Sequence, residues 1–158
     1  MSAIDLLARY ALVPMEESHL KEVMAIERMS YTNPWVADAF RHEIAKNPFS
    51  RPRVAVTLPE PAEVAGYCVS WILFEQVQIQ NVAVHPRHRR CGLARHLMVR
   101  ALEEARERGA RTAQLEVRRS NVVARKLYAS LGFHETGERQ SYYSRPVEDA
   151  ILLQKVLG

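Results

Sequence analysis

Asn81-Val82-Ala83-Val84-His85-Pro86-Arg87-His88-Arg89-Arg90-Cys91-Gly92-Leu93-Ala94-Arg95 is the stretch that decides how the rest of this chain is read. A short apolar run ends at a proline, a basic loop with one glycine follows, and a helix opens on Leu93. Strand, basic loop and helix start form the arrangement that binds a phosphate chain, because the first N–H groups of a helix have no partner within it and face outward. Arginines beside them add charge-assisted hydrogen bonds. At Gly92 a side chain would hold phosphates away from the backbone. The stretch is neither a Walker A loop, Gly-x-x-x-x-Gly-Lys-Ser/Thr, nor the Gly-x-Gly-x-x-Gly dinucleotide fingerprint. Taken alone it is equally a solvated basic turn capping a helix, so its meaning rests on what lies around it.

Upstream, Gln76 to Val84 alternates as a half-exposed strand should, then turns apolar on both faces from Val82 to Val84, as where a strand enters a core. Downstream, Leu93 to Arg108 is the strongest helix: Leu93, Leu97, Met98, Ala101, Leu102 and Ala105 form its apolar stripe, and Gly109 stands where a C-cap belongs. A strand from Thr112 to Val117 follows, then a helix from about Asn121 to Ser130 ending at Leu131-Gly132-Phe133. Two closing strands run roughly Glu135 to Tyr143 and Ala150 to Val156.

Toward the N-terminus, Leu20, Val23, Met24 and Glu27 are spaced by three and four and predict a helix from Glu16 to about Ser30. Asn33-Pro34-Trp35 breaks it. A second helix, about Val36 to Lys46, puts Phe40 and Ile44 on one face. Arg53 to Leu58 and Val64 to Phe74 then form a hairpin around Pro59-Glu60-Pro61-Ala62-Glu63. These elements predict a mixed α/β sheet with helices on both faces. With no repeat, low-complexity tract or linker, residues 1–158 are expected to be a single domain.

The composition, 47% hydrophobic and 25% charged, is that of a soluble globular protein. The longest apolar runs are far too short to span a bilayer. Asp5 and Arg9 interrupt the N-terminal apolar residues, which argues against a secretory signal. Cys68 and Cys91 suggest no disulfide framework, so a cytoplasmic location is expected. The net charge of +4 favours anionic partners, whether a phosphorylated cofactor, a substrate or nucleic acid.

In Gln114-Leu115-Glu116-Val117-Arg118, Leu115 and Val117 share one strand face, and Gln114 and Glu116 the other. A carboxylate held on a sheet and facing a cleft is a candidate general base. The same pattern describes an exposed strand glutamate paired with an arginine such as Arg118 or Arg119. Asn121 suits a helix N-cap. Tyr128 follows two turns later with Ala124 between, so the row could follow an extended ligand across the helix. Tyr128 is equally a core aromatic.

Together these residues resemble the GNAT acetyltransferases. Arg89-x-x-Gly92-x-Ala94 is similar to that family's acyl-CoA pyrophosphate loop. The run Glu116-Val117-Arg118-x-Ser120-Asn121-x-x-Ala124-x-x-Leu127-Tyr128-x-x-Leu131-Gly132-Phe133 resembles the family's protein N-terminal acetyltransferases, in particular the branch that acetylates the N-terminal alanine of ribosomal protein S18. Asn33-Pro34-Trp35, Tyr142-Tyr143 and Glu148-Asp149-Ala150 fit the same branch, so the similarity covers most of the chain. Ala94 replaces a glycine often found in the loop.

The resemblance implies a GNAT fold, a mostly antiparallel mixed sheet with splayed central strands, and acetyl-CoA as the acetyl donor without a metal. Val82, Ala83 and Val84 would offer backbone groups to the pantetheine arm. Arg89, Arg90, Cys91, Gly92, Leu93, Ala94 and Arg95 would surround the pyrophosphate, with Asn121 and Ala124 beside the CoA arm. Glu116 would accept the amine's proton through water, and Tyr128 would return one to the CoA thiolate. Trp35, Tyr142 and Tyr143 are candidates for the peptide entrance, though each also suits packing. Direct attack of amine on thioester needs orientation rather than a covalent enzyme intermediate, so Cys91 is read as a bystander. The implied partner is a protein N-terminus, that of ribosomal protein S18, with no direct nucleic acid and no membrane. Two other readings remain: a GNAT acting on broader N-termini, lysines or small amines, and a basic ribosome- or RNA-binding module without catalysis, whose affinity would weaken steeply with salt.

Overall fold

The computed structural model describes residues 2–158. Its elements run α1 (Ala3–Arg9), β1 (Tyr10–Pro14), α2 (Leu20–Ser30), α3 (Ala37–Ala45), β2 (Ser50–Thr57), β3 (Val64–Leu73), β4 (Gln76–Val84), α4 (Leu93–Glu107), β5 (Thr112–Arg118), α5 (Val122–Ser130), β6 (His134–Tyr143) and β7 (Glu148–Val156). The strands form one seven-stranded sheet in the order β1-β2-β3-β4-β5-β7-β6. Every neighbouring pair is antiparallel except β4 with β5.

Each face of the sheet has its own apolar cluster. Leu93, Leu97, Met98, Ala101 and Ala105 of α4 pack with Tyr128, Leu131 and Phe133, and with Leu6 of α1, on one face. Leu20, Val23, Met24 and Ile26 of α2 and Phe40 of α3 pack over Tyr67, Val69 and Ala83 on the other. The helical spacings read from the sequence are these two buried stripes.

The feature that positions the site is the short union of β4 with β5. Their parallel register joins only Gln76 to Thr112, Val77 to Ala113 and Gln78 to Gln114. Beyond Gln78 the two strands part, while β3 stays paired to β4 as far as Val84 and β7 to β5 as far as Arg118. The parting coincides with a bulge: Val69 pairs Asn81 and Ser70 pairs Ile79, so Gln80 is the extra residue. One extra residue reverses the alternation. Ile79 and Val82 therefore pack on the same face, and Ala83 turns to the α2–α3 face with Asn81, whose amide meets Glu27 of α2.

Several boundaries differ from the sequence reading. The first fourteen residues, to which no element was assigned, contain α1 and β1; α1 is started by a capping box between Ser2 and Asp5. The expected helix from Glu16 opens as a 3-10 turn, Glu17–His19, that runs directly into α2, with His19 Nδ1 accepting the Glu16 N–H at the start of the turn. Strand β2 begins at Ser50, through Pro52. The proline is tolerated because β1 ends opposite Arg53, so the missing N–H interrupts no pairing on that side.

Candidate active site

At the C-terminal end of β4 the chain makes a 3-10 turn, Pro86–His88, before α4. Gly92 is the N-cap of α4 with φ +86°, a left-handed conformation that a glycine adopts without cost. Its role is thus conformational as well as spatial: an added Cβ would meet only Leu6 Cδ1, at 3.8 Å. His96 is the first residue of α4 whose N–H reaches back, to Gly92 O at 3.0 Å. The N–H groups of Leu93, Ala94 and Arg95 precede it and have no helical acceptor. Arg89 folds back so that Nε donates to Val84 O at 3.1 Å, and Arg95 donates to Ser130 Oγ at 2.7 Å. Cys91 Sγ donates to His88 O at 2.9 Å.

Along the open edge of β4, alternation turns the amide groups of Val82 and Val84 toward the gap and those of Ala83 toward β3. Both outward carbonyls already have donors. Tyr31, at the C-terminus of α2, donates its hydroxyl to Val82 O at 2.5 Å, and Arg89 takes Val84 O. The N–H groups of Val82 and Val84 are thereby the edge groups left for an extended ligand.

A cavity of about 180 Å³ opens through the gap. Glu116 of β5 and Tyr128 of α5 both line it, together with Trp35, Val82 and Tyr143, so five of the residues singled out in the sequence converge there. Tyr128 is buried against Phe133, ring centroids 6.1 Å apart, and burial pushes its phenol above the ordinary value. Glu116 is paired, though not with Arg118 or Arg119: its Oε1 lies 3.2 Å from Arg139 Nε on β6. Arg118 instead pairs with Glu148 and lies over the Tyr143 ring, and Arg119 pairs with Glu138 and Asp149.

A second cavity, about 510 Å³, adjoins the first on the side of the β6–β7 hairpin. Trp35, Glu116, Tyr142 and Tyr143 line it with Trp71, Arg139 and a row of glutamines. The Tyr142 hydroxyl bonds Glu116, which raises its phenol pKa; burial and the charge of Glu116 push Tyr143 up to about 12. Asn121 and Ala124 line neither cavity. Asn121 Oδ1 accepts the Ala124 N–H at 3.1 Å, the N-cap that its residue type suggests.

Four residues of the site were missed in the sequence. Glu27, which the spacing puts on an apolar helical stripe, is 1% exposed. Its Oε1 accepts Tyr67 Oη at 2.5 Å and Asn81 Nδ2 at 2.9 Å, and its Oε2 accepts the Trp35 N–H at 2.9 Å. A charged residue at the centre of an apolar stripe was the available signal. Asn81 reads in the sequence only as part of a strand. Tyr31 and Arg139 carried no pattern, since each reaches the site from an element distant in sequence. Among the described residues, no group of three or more His, Cys, Asp or Glu is placed to hold a metal ion, and no helix is long and apolar enough to cross a membrane.

A sheet parted beside a helix N-terminus, with a carboxylate and a phenol in the gap, defines an acyltransferase of the GNAT class. The chain belongs to that family: the Acetyltransferase (GNAT) family profile matches residues 20–133. It is an acetyl-CoA-dependent acetyltransferase. The ribosomal protein bS18-alanine N-acetyltransferase of Escherichia coli (strain K12) is 33% identical over 141 residues, 88% of this chain and 92% of that one. A Bacillus subtilis (strain 168) protein, provisionally named as the same enzyme, is 37% identical over 139 residues, 88% of this chain and 90% of its own. In structure, the Escherichia coli ribosomal-protein-S18-alanine N-acetyltransferase superposes with a TM-score of 0.83 and 28% identity, covering 94% of each chain. The NatC complex bound to Gag peptide and CoA shares the fold, with a TM-score of 0.82 at 20% identity over 94% of this chain and 99% of that one.

Proposed function

We propose that this chain acetylates the N-terminal α-amino group of a protein, with the N-terminal alanine of ribosomal protein S18 as its specific substrate, that it works in the cytoplasm, and that residues 1–158 act as one domain. Two relatives bearing that activity in their names, aligned over most of both chains, support the choice of substrate. The observation that carries the chemistry is the convergence of Glu116 and Tyr128 on one cavity at the parting of β4 and β5.

Acetyl-CoA supplies an acetyl group activated as a thioester. The residues present suit it: open N–H groups along β4 for amides of an extended arm, and unpartnered N–H groups with arginines at the start of α4 for phosphates. In this reading Arg90 and Arg95 supply charge at the pyrophosphate, while Arg89 ties the loop to the strand end through Val84 O. Asn121 spends its oxygen on the helix cap and has only its amide N–H groups for the CoA arm.

Glu116 accepts the proton of the incoming amine through water. An α-amino group has a pKa near 8, so about a tenth is already neutral at pH 7 and the base has modest work. Arg139 and Tyr142 hold the Glu116 carboxylate from the peptide side. Tyr128, kept protonated at neutral pH by burial, donates its O–H to the charge developing on the departing sulfur, and any proton it passes on is replaced from solvent. Trp35, Tyr142 and Tyr143 wall the peptide entrance.

The test is mass spectrometry of acetyl transfer onto peptides with different first residues, including one that begins as S18 does. Transfer to the α-amine of the alanine-initiated peptide is the expected result. Transfer confined to lysine side chains or small amines would replace the substrate assignment with the broader one.

A further inference from the structure

Two amide oxygens at the smaller cavity are buried without a hydrogen-bond partner: Asn81 Oδ1 and Asn33 Oδ1. Buried polar atoms are almost always satisfied, so an orphaned acceptor marks a place where a donor belongs. The orientation of each amide is fixed by its other end. Asn81 Nδ2 faces Glu27 Oε1 at 2.9 Å, and a carboxylate only accepts, so the amide oxygen must point away from it. Asn33 Nδ2 donates to Ser144 O, a carbonyl, with the same consequence. The Asn81 side chain is 7% exposed and stands on the bulge where β4 leaves β5. Glu27, beneath it, is fully occupied by Tyr67, Asn81 and Trp35. Both oxygens belong to residues that line the cavity, and an N–H donor on a ligand there would supply the bond each lacks.

We propose that Asn81 Oδ1 is a binding group for the attacking amine, accepting one of its N–H bonds while Glu116 receives another through water. The inference rests on the reading that the substrate presents an α-amino group at this cavity. A neutral primary amine has two N–H bonds and one lone pair. With one acceptor fixed on the protein and the other a water held by Glu116, both N–H directions are set and the lone pair is left to face the acetyl carbon, which is the orientation that direct attack requires. Asn81 touches the substrate; Glu27 is a positioning residue, acting only through the direction in which it holds the Asn81 amide.

Glu27→Gln separates this role from packing. Its Nε2 can donate to both the Tyr67 oxygen and the Asn81 amide, provided that amide turns over. The cavity then meets a donor, Asn81 Nδ2, in place of an acceptor, with little change in shape. The readout is the ratio of dissociation constants for two peptides in the presence of CoA, with which no acetyl transfer occurs. One peptide begins with alanine; the other is its des-amino counterpart, in which hydrogen replaces the α-amino group.

Wild-type enzyme should prefer the amine, and the preference should fall about tenfold in both Asn81→Ala and Glu27→Gln, the loss expected for one hydrogen bond to a charged or strongly polar partner. General damage weakens both peptides alike and leaves the ratio unchanged. An unchanged ratio in variants that still bind CoA overturns the proposal. A second measurement needs no variant: on the wild-type enzyme, a lactyl-initiated peptide, which retains one O–H donor, should bind more tightly than the des-amino peptide. Equal binding also overturns the proposal. Failure of wild-type enzyme to acetylate any peptide α-amine is a different result, and it would sink the functional reading instead.

Discussion

Removing one oxygen atom, in Tyr67→Phe, should weaken the protein at neutral pH and relieve it at alkaline pH. Tyr67 is wholly buried, and its ring stands edge-on to Phe40 with centroids 5.7 Å apart, contacts that phenylalanine keeps. The hydroxyl donates to Glu27 Oε1 at 2.5 Å, and its removal leaves that oxygen with Asn81 alone. A hydrogen bond to a charged group contributes about 1.5–3 kcal/mol. For a chain of this length that lowers Tm by about 3–12 °C.

The pH dependence has the opposite sign. Burial, reinforced by Glu27, holds the Tyr67 phenol well above its ordinary value near 10. Above pH 10 the unfolded chain loses this proton and the folded chain keeps it. Wild-type stability then falls by about 1.4 kcal/mol per pH unit on this account. The variant has no such group, so the gap should close within about one to two units above pH 10. The other buried tyrosines, common to both proteins, cancel in the comparison. Urea melts at pH 8 and at intervals from pH 10 to 11.5 measure both effects. A gap that stays constant across that range would refute the argument from burial, and no gap at pH 8 would refute the argument from the hydrogen bond.

Glu116→Gln should cut turnover by about a hundredfold, at the low end for a general base because the amine is already partly neutral, with acetyl-CoA affinity nearly unchanged; comparable loss of both would make Glu116 structural. Tyr128→Phe should slow acetylation at saturating substrate, and unaltered turnover in stopped assays removes its hydroxyl from the reaction. Gly92→Ala should cost about 1–2 kcal/mol through its left-handed backbone alone, since the nearest atom stands at 3.8 Å; calorimetric loss beyond about twice that would point to a clash. Acetyl-CoA should raise Tm by mass action, by about 2.7 kcal/mol of stabilisation at a hundredfold excess over Kd, and no shift at millimolar concentration would contradict an acetyl-CoA site.

The elements with strong periodicity are legible in the sequence. The stripe from Leu93 to Ala105 is buried as read, and Leu115 and Val117 face the core while Glu116 faces a cavity. What the sequence could not show depends on pairing between distant segments. Nothing in Gln78-Ile79-Gln80-Asn81 announces that Gln80 is a bulge, because the extra residue is defined only against Val69 and Ser70 of the partner strand. Asn81 thus looked like an ordinary strand residue, though the bulge is what turns it toward Glu27. The sequence offers Glu116 as a base or as the partner of a near neighbour such as Arg118; its partner, Arg139, lies on β6. Glu27 fell on the correct helical face, and the resemblance of its spacing to a hydrophobic stripe concealed its polar role.

Among the described residues, the three residue pairs that join β4 to β5 are the only strand pairing between the two portions of the sheet. Strands β1 to β4 lie to one side of this seam and β5 to β7 to the other, fastened at one end like the arms of a clothes peg. A molecule lodged between the arms acts as a cross-brace, since it touches both. Protection from hydrogen exchange at Val82 and Val84 on one arm and Glu116 on the other should therefore rise together when acetyl-CoA binds, although these residues share no strand. The reaction's donor would in that sense be a temporary part of the protein's frame, and each turnover would end with the frame losing a strut.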